Sequence, residues 1–78
     1  MQEEELVRYI AENLVNDPSQ VTVKPRKKGR LTILELRVAP DDMGRVIGKS
    51  GRVANAMRAL IKASDRSHGR KRIILEIE

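Results

Sequence analysis

The run Arg45-Val46-Ile47-Gly48-Lys49-Ser50-Gly51-Arg52 constrains the fold of this chain more than any other segment. Two glycines bracket two polar residues, with an apolar-plus-basic stretch before them and an amphipathic stretch after. Glycine has no Cβ, so a backbone carrying two of them three positions apart can turn sharply and let a second chain come close. A helix that starts at such a turn points amide hydrogens and the positive end of its dipole outward. With Arg45, Lys49 and Arg52 around it, the turn becomes a small anion cradle, suited to a phosphate backbone.

The rest of the chain must fold around that turn. Leu6, Ile10 and Leu14 recur every four residues, with Val7, Ala11 and Val15 beside them. This spacing predicts a helix over 4–15 with Glu3, Glu4 and Glu5 at its start, where the dipole favours acids. Asn16-Asp17-Pro18 stops it. Val21-Thr22-Val23 opens a strand, Lys28-Gly29 signals a hairpin turn, and Leu31 to Val38 forms a longer strand. Leu31 and Ile33 alternate with Leu34, Leu36 and Val38, so the second strand is apolar on both faces in part and is predicted to be central.

Pro40-Asp41-Asp42 announces a short helix ending at Gly48, with Asp41 or Asp42 as its cap. A longer helix starts near Gly51 and reaches Ser64. Val53, Met57 and Leu60 form its predicted core stripe, and Ala54 and Ile61 lie on the flank. Ala54 and Ile61 have two readings, the edge of the core or a surface for a second copy or a protein partner. Ser67-His68-Gly69 breaks the pattern. Arg72 to Glu78 then alternates as a last strand with Ile73, Leu75 and Ile77 on one face. The right-handed crossover rule makes this strand parallel to the central one. The fold class is therefore α+β, in the order helix-strand-strand-helix-helix-strand. One mixed three-stranded sheet carries three helices on one face, within a single domain spanning 1–78.

Charge narrows the function. The net charge is +5, from 16 basic and 11 acidic residues. Residues 1–17 hold one arginine against five acids, a net of −4, so 18–78 carry +9. The basic residues gather at Lys24, Arg26, Lys27, Lys28 and Arg30, around the double glycine, and at Arg70-Lys71-Arg72. Such polarity is the footprint expected of a nucleic-acid partner, or less often of an anionic membrane; for any single cluster solubility is the plainer reading, and three clusters converging on one groove shift the balance to nucleic acid. The chain has no cysteine, which excludes thiolate metal sites and thiol catalysis and fits a reducing cytoplasm. The acidic first residues are unlike a signal peptide, and no apolar run approaches the ~20 residues that span a bilayer.

Catalytic readings fail on spacing. Gly44 and Gly48-Lys49-Ser50 are separated by three residues, where a nucleotide-binding P-loop needs four. Ser50 has no histidine nearby in sequence, and His68 is the only one. Neighbouring Asp41 and Asp42 at a helix start are caps before they are a catalytic pair. Tyr9 is the sole aromatic, which excludes readers that stack bases on aromatic platforms. A helix-turn-helix with residues 52–64 as recognition helix would present Asn55, Arg58 and Lys62, but its usual connection is not two glycines, and strands flank the pair. No enzyme activity, metal, cofactor or small-molecule substrate is expected.

The segment Val46-Ile47-Gly48-Lys49-Ser50-Gly51-Arg52, between two helices that lie between two strands, resembles the signature of the K-homology (KH) domain, V-I-G-x-x-G followed by an apolar-periodic helix. The preceding helix and strand match the type II KH topology. In size the chain resembles the stand-alone KhpA family of bacterial KH proteins. The resemblance implies a cytoplasmic, non-catalytic protein that holds single-stranded RNA, acting as a homodimer or with a larger KH-containing protein in post-transcriptional regulation or RNA chaperoning. It implies that Gly48 and Gly51 let the loop lie on the sugar-phosphate backbone, with Lys49 and Ser50 at its tip and Arg45 and Arg52 beside it. It further implies an apolar cleft lined by Val46, Ile47, Val53 and Ala54. The opposite wall would be Ile33 and the basic turn carrying Arg26, Lys27, Lys28 and Arg30. The alternative class is a protein-interaction adaptor that works through its helical face.

Overall fold

A computed structural model describes residues 3–64 and 72–78; the turn expected at Ser67-His68-Gly69 and the basic residues Arg70 and Lys71 lie outside them. The elements are α1 (Glu3–Leu14), β1 (Thr22–Lys28), β2 (Leu31–Arg37), α2 (Met43–Ile47), α3 (Arg52–Ser64) and β3 (Arg72–Ile77), with single 3-10 turns at Pro18–Gln20, Pro40–Asp42 and Lys49–Gly51. This is the expected order, and the bounds agree to within a residue or two for every helix and for β2 and β3.

The sheet runs β1-β2-β3, with β2 central. β1 pairs antiparallel to β2 from Thr22↔Arg37 to Lys28↔Leu31, so Gly29 and Arg30 alone make the turn. β3 pairs parallel to β2 from Leu31↔Arg72 to Leu36↔Ile77. Two further backbone bonds extend the parallel ladder, Arg72 N–H to the Arg30 carbonyl (2.9 Å) and Glu78 N–H to the Leu36 carbonyl (2.8 Å). Pro25 cannot donate to a ladder, and it sits on β1, an edge strand where that loss is tolerated.

Side chains alternate across a strand, so burial tells the two faces apart. Val23, Leu34, Leu36 and Leu75 are buried under the helices. Three helices cover that face. The other face carries Lys24, Arg26, Lys28, Leu31, Ile33, Ile74 and Glu76, in register with one another. Among these Ile74 is 38% exposed.

Burial settles which apolar positions of the two long helices are core; of the stripe expected on α3, Met57 is buried, Val53 half-buried and Leu60 exposed. In α1 the core takes Val7 and Ala11, continued by Val15, while Leu6 and Ile10 are half-buried and Leu14 is exposed. In α3 it takes Ala54, Met57 and Ile61, while Leu60 is 48% exposed. The expectation that Ala54 and Ile61 offer a partner surface is therefore corrected: each is only 3% exposed. α1 and α3 pack on each other as well as on the sheet. A helix with two neighbours buries the positions between them, and small residues there let the helices approach.

Candidate nucleic-acid interface

α2 has only five residues and ends because Gly48 leaves helical space, at φ 77°, ψ 170°. Its N–H still reaches back to the Gly44 carbonyl at 2.9 Å, closing the last turn. That backbone region is open to glycine almost alone. A side chain is also excluded by space, since a Cβ on Gly48 would lie 2.5 Å from Cγ2 of Val53 and 2.9 Å from its backbone nitrogen. Gly48 is thus required twice over. It presses the incoming chain directly onto the first turn of α3.

Two left-handed residues follow, Ser50 at φ 57° and Gly51 at φ 74°. The Gly51 N–H bonds the Gly48 carbonyl at 3.1 Å, which fixes the loop as a single tight turn. A Cβ on Gly51 would meet nothing nearer than Asn55 Nδ2 at 3.9 Å, so its glycine answers to φ alone. Ser50 holds a conformation that costs a non-glycine residue ~1–2 kcal/mol. The result is a pair of polar tips, Lys49 and Ser50, displayed at the N-terminus of α3, with Arg45 and Arg52 exposed on either side. These four residues, each expected to touch phosphate, therefore stand together.

The apolar residues divide. Ile47 is 37% exposed and Val53 half-buried, and both border the turn. Val46 is fully buried and Ala54 nearly so; they support the turn from within the core. Their expected place in the lining of a cleft is corrected accordingly.

Ile33, Arg26 and Lys28 require a larger correction. Leu34 and Leu36 face the helices, so Ile33 belongs to the opposite face of β2, paired with Arg26 on β1 and Ile74 on β3. Lys28 shares that face. These three are not the far wall of a cleft beside the glycine turn, because a strand that points one residue inward points its neighbour outward. Lys27 lies on the helix side, and Arg30 stands in the hairpin turn, both exposed.

Asp42 has a different part from the helix cap expected of it. It makes no side-chain cap to α2. Only 2% exposed, it accepts the backbone N–H of Asn16 (3.1 Å) and of Asp17 (3.2 Å), and its Oδ1 lies 3.4 Å from Arg45 Nε. A buried carboxylate thereby ties the end of α1 to the base of α2 and restrains one cation of the cradle. Nothing in Pro40-Asp41-Asp42 distinguishes a cap from such a tie, since its partners are 25 and 26 residues away. Asp17 is itself held: its carboxyl sits below its ordinary value because the Ser19 hydroxyl and the Gln20 amide donate to it.

No helix of the described residues is long and apolar enough to cross a membrane. Among the described residues the one acidic group with metal-like spacing, Glu35, Glu76 and Glu78, lies on the outward face of the sheet, away from the glycine turn.

Comparison with known proteins places nearly all of the chain in one family. The family model described as KhpA/KhpB, KH domain, matches residues 4–77. An RNA-binding protein KhpA of Caldanaerobacter subterraneus subsp. tengcongensis is 49% identical over 73 residues, covering 94% of this chain and 96% of that one. An RNA-binding protein KhpA of Treponema pallidum is 55% identical over 62 residues, 80% and 78% of the two chains. The one from Clostridium acetobutylicum is 47% identical over 73 residues, 94% and 96%. No solved structure matches the chain.

Proposed function

Because the chain belongs to the KhpA/KhpB KH-domain family, a non-catalytic family whose type II topology it shares, we propose that it binds single-stranded RNA through the Gly48–Gly51 turn. The observation that carries this reading is the turn itself. Gly48 and Gly51 bring the backbone close to a ligand, while Arg45, Lys49 and Arg52 surround it with positive charge at a helix N-terminus. Ile47 and Val53 offer apolar contact to bases beside the loop. With one aromatic in the chain and a small basic turn, affinity is modest and falls with salt.

Two domains acting together gain by effective concentration, which gives such a small domain a reason to pair. Pairing with a second copy, or with a larger KH-containing protein, would use the exposed side of α3, where Ala56, Leu60 and Ala63 fall on one stripe. Leu60→Asp should keep the fold and lower any self-association measured by analytical ultracentrifugation, whereas Ile61→Asp should lose the fold. A cytoplasmic role in RNA chaperoning or post-transcriptional control is the setting this reading supports.

The test is fluorescence anisotropy against a ten-nucleotide single-stranded RNA, its DNA equivalent and an RNA duplex. Wild type is compared with Lys49→Asp/Ser50→Asp. Aspartate tolerates the left-handed region better than most residues, so the loop keeps its shape while its charge reverses. A loss of at least about tenfold on single-stranded RNA supports the reading. Equal binding by both proteins removes it and favours the adaptor.

A further inference from the structure

We propose that the outward face of the sheet, at its hairpin end, is a second contact surface for single-stranded RNA, on the opposite side of the sheet from the helices that carry the glycine turn. The inference rests on the reading that RNA is the partner, and it adds a site on the side of the molecule that carries no helices. Its basis is the register. Lys28, Leu31 and Arg72 stand side by side across the three strands, and Arg26, Ile33 and Ile74 form the next row. Neighbouring strands are ~4.8 Å apart, so each row is about 10 Å wide. The centre of the patch is aliphatic and its rim is cationic.

The charge at the two ends of this face differs. Away from the hairpin Glu78 pairs with Arg37 at 2.9 Å, and Glu35 reaches back to take Arg26 of the second row at 3.0 Å, so acids and bases neutralise one another there. At the hairpin end Lys28 and Arg72 have no acidic partner among the described residues, and Arg30 adds a further exposed cation in the turn. A second copy of the chain is the weaker occupant. It would have to meet these cations with carboxylates, and of the three glutamates on this face two are already engaged. A polyanion supplies the missing charge. Without an aromatic on this face, contact is made through phosphates and aliphatic packing, so the surface tolerates many sequences.

The test is methyl NMR of the full chain with decauridylate, alongside anisotropy. In wild type the methyls of Leu31, Ile33 and Ile74 shift on titration, as do those of Ile47 and Val53. In Lys49→Asp/Ser50→Asp the sheet methyls still shift, at higher RNA concentration. Lys28→Glu/Arg72→Glu keeps the amide spectrum of a folded protein, because both side chains are exposed. It weakens binding by about tenfold and lowers the salt slope by ~1.4, because two phosphates are no longer neutralised. Sheet methyls that stay silent while Ile47 and Val53 respond overturn this proposal and leave the glycine-turn reading intact. An equal loss from Arg8→Glu/Lys62→Glu, two cations elsewhere, overturns it in favour of diffuse attraction. Sheet shifts that follow protein concentration without RNA overturn it in favour of a second copy. If neither set of methyls moves at saturating RNA, both readings fall.

Discussion

Among the described residues two turns contain glycine at positive φ, and they are built on different principles. Gly29 has φ 59° with nothing within 4 Å of where its Cβ would be. The hairpin around it is exposed throughout, from Lys24 to Arg30. Gly48 has φ 77° and would drive a Cβ into Val53. Its neighbours Val46 and Ala54 are core, and a buried carboxylate anchors the helix that leads to it. One turn merely reverses a chain. The other is cast into the core, so its shape persists while its tip carries charge. Function that depends on placing backbone against a ligand belongs on the second kind; function that depends on charge alone can use the first.

The contrast predicts a graded series. Gly48→Ala combines a forbidden backbone region with a clash, and should cost about 3–5 kcal/mol, seen as a large fall in Tm together with lost RNA binding. If it costs no more than Gly29→Ala, the two turns are equivalent and the contrast is void. Asp42→Ala leaves the Asn16 and Asp17 amides without their acceptor and should cost ~2–3 kcal/mol by urea titration. Asp42→Asn retains one acceptor oxygen and should lose less. Gly29→Ala meets only the φ penalty and should cost about 1–2 kcal/mol with RNA affinity nearly intact. Ser50→Gly should raise stability by up to ~1 kcal/mol by releasing the left-handed strain, at the expense of a looser loop.

The smallest effect concerns acid. The Asp17 carboxyl is lowered from its ordinary value of 3.8, first by the Ser19 hydroxyl and then by Gln20. A lowered acid contributes stability above its unfolded value and loses it as pH falls through the folded one. Asp17→Asn should therefore narrow the gap to wild type only below about pH 4, in a thermal-melt series from pH 7 to pH 2.5.

Much of this was legible in the chain. The helix starts and stops, the hairpin at Lys28-Gly29, the central β2 and the parallel β3 all follow from periodicity, turn chemistry and handedness. These are short-range effects, or rules with a single allowed outcome. Gly48, Gly51, Lys49, Ser50, Arg45 and Arg52 were legible as a cradle for the same reason, since a turn of four residues brings its own members together. The stripe on each helix was not legible to within one position. Leu60 and Ile61 are both apolar and about 100° apart on the helix, and only the placement of α1 beside α3 decides which is buried.

The sequence by itself determined the elements, their order and the local shape of the glycine turn, because each depends on residues a few positions apart. Tertiary structure alone decided three things. It chose Ala54, Met57 and Ile61 over Leu60 for the core, it turned Asp42 from a cap into a tie, and it sent Ile33 and Lys28 to the far side of the sheet from the turn they were expected to face. The physical reason is common to all three. Which face of a helix or strand is buried, and which distant amide meets a carboxylate, are set by packing between elements, and local periodicity narrows that choice without making it.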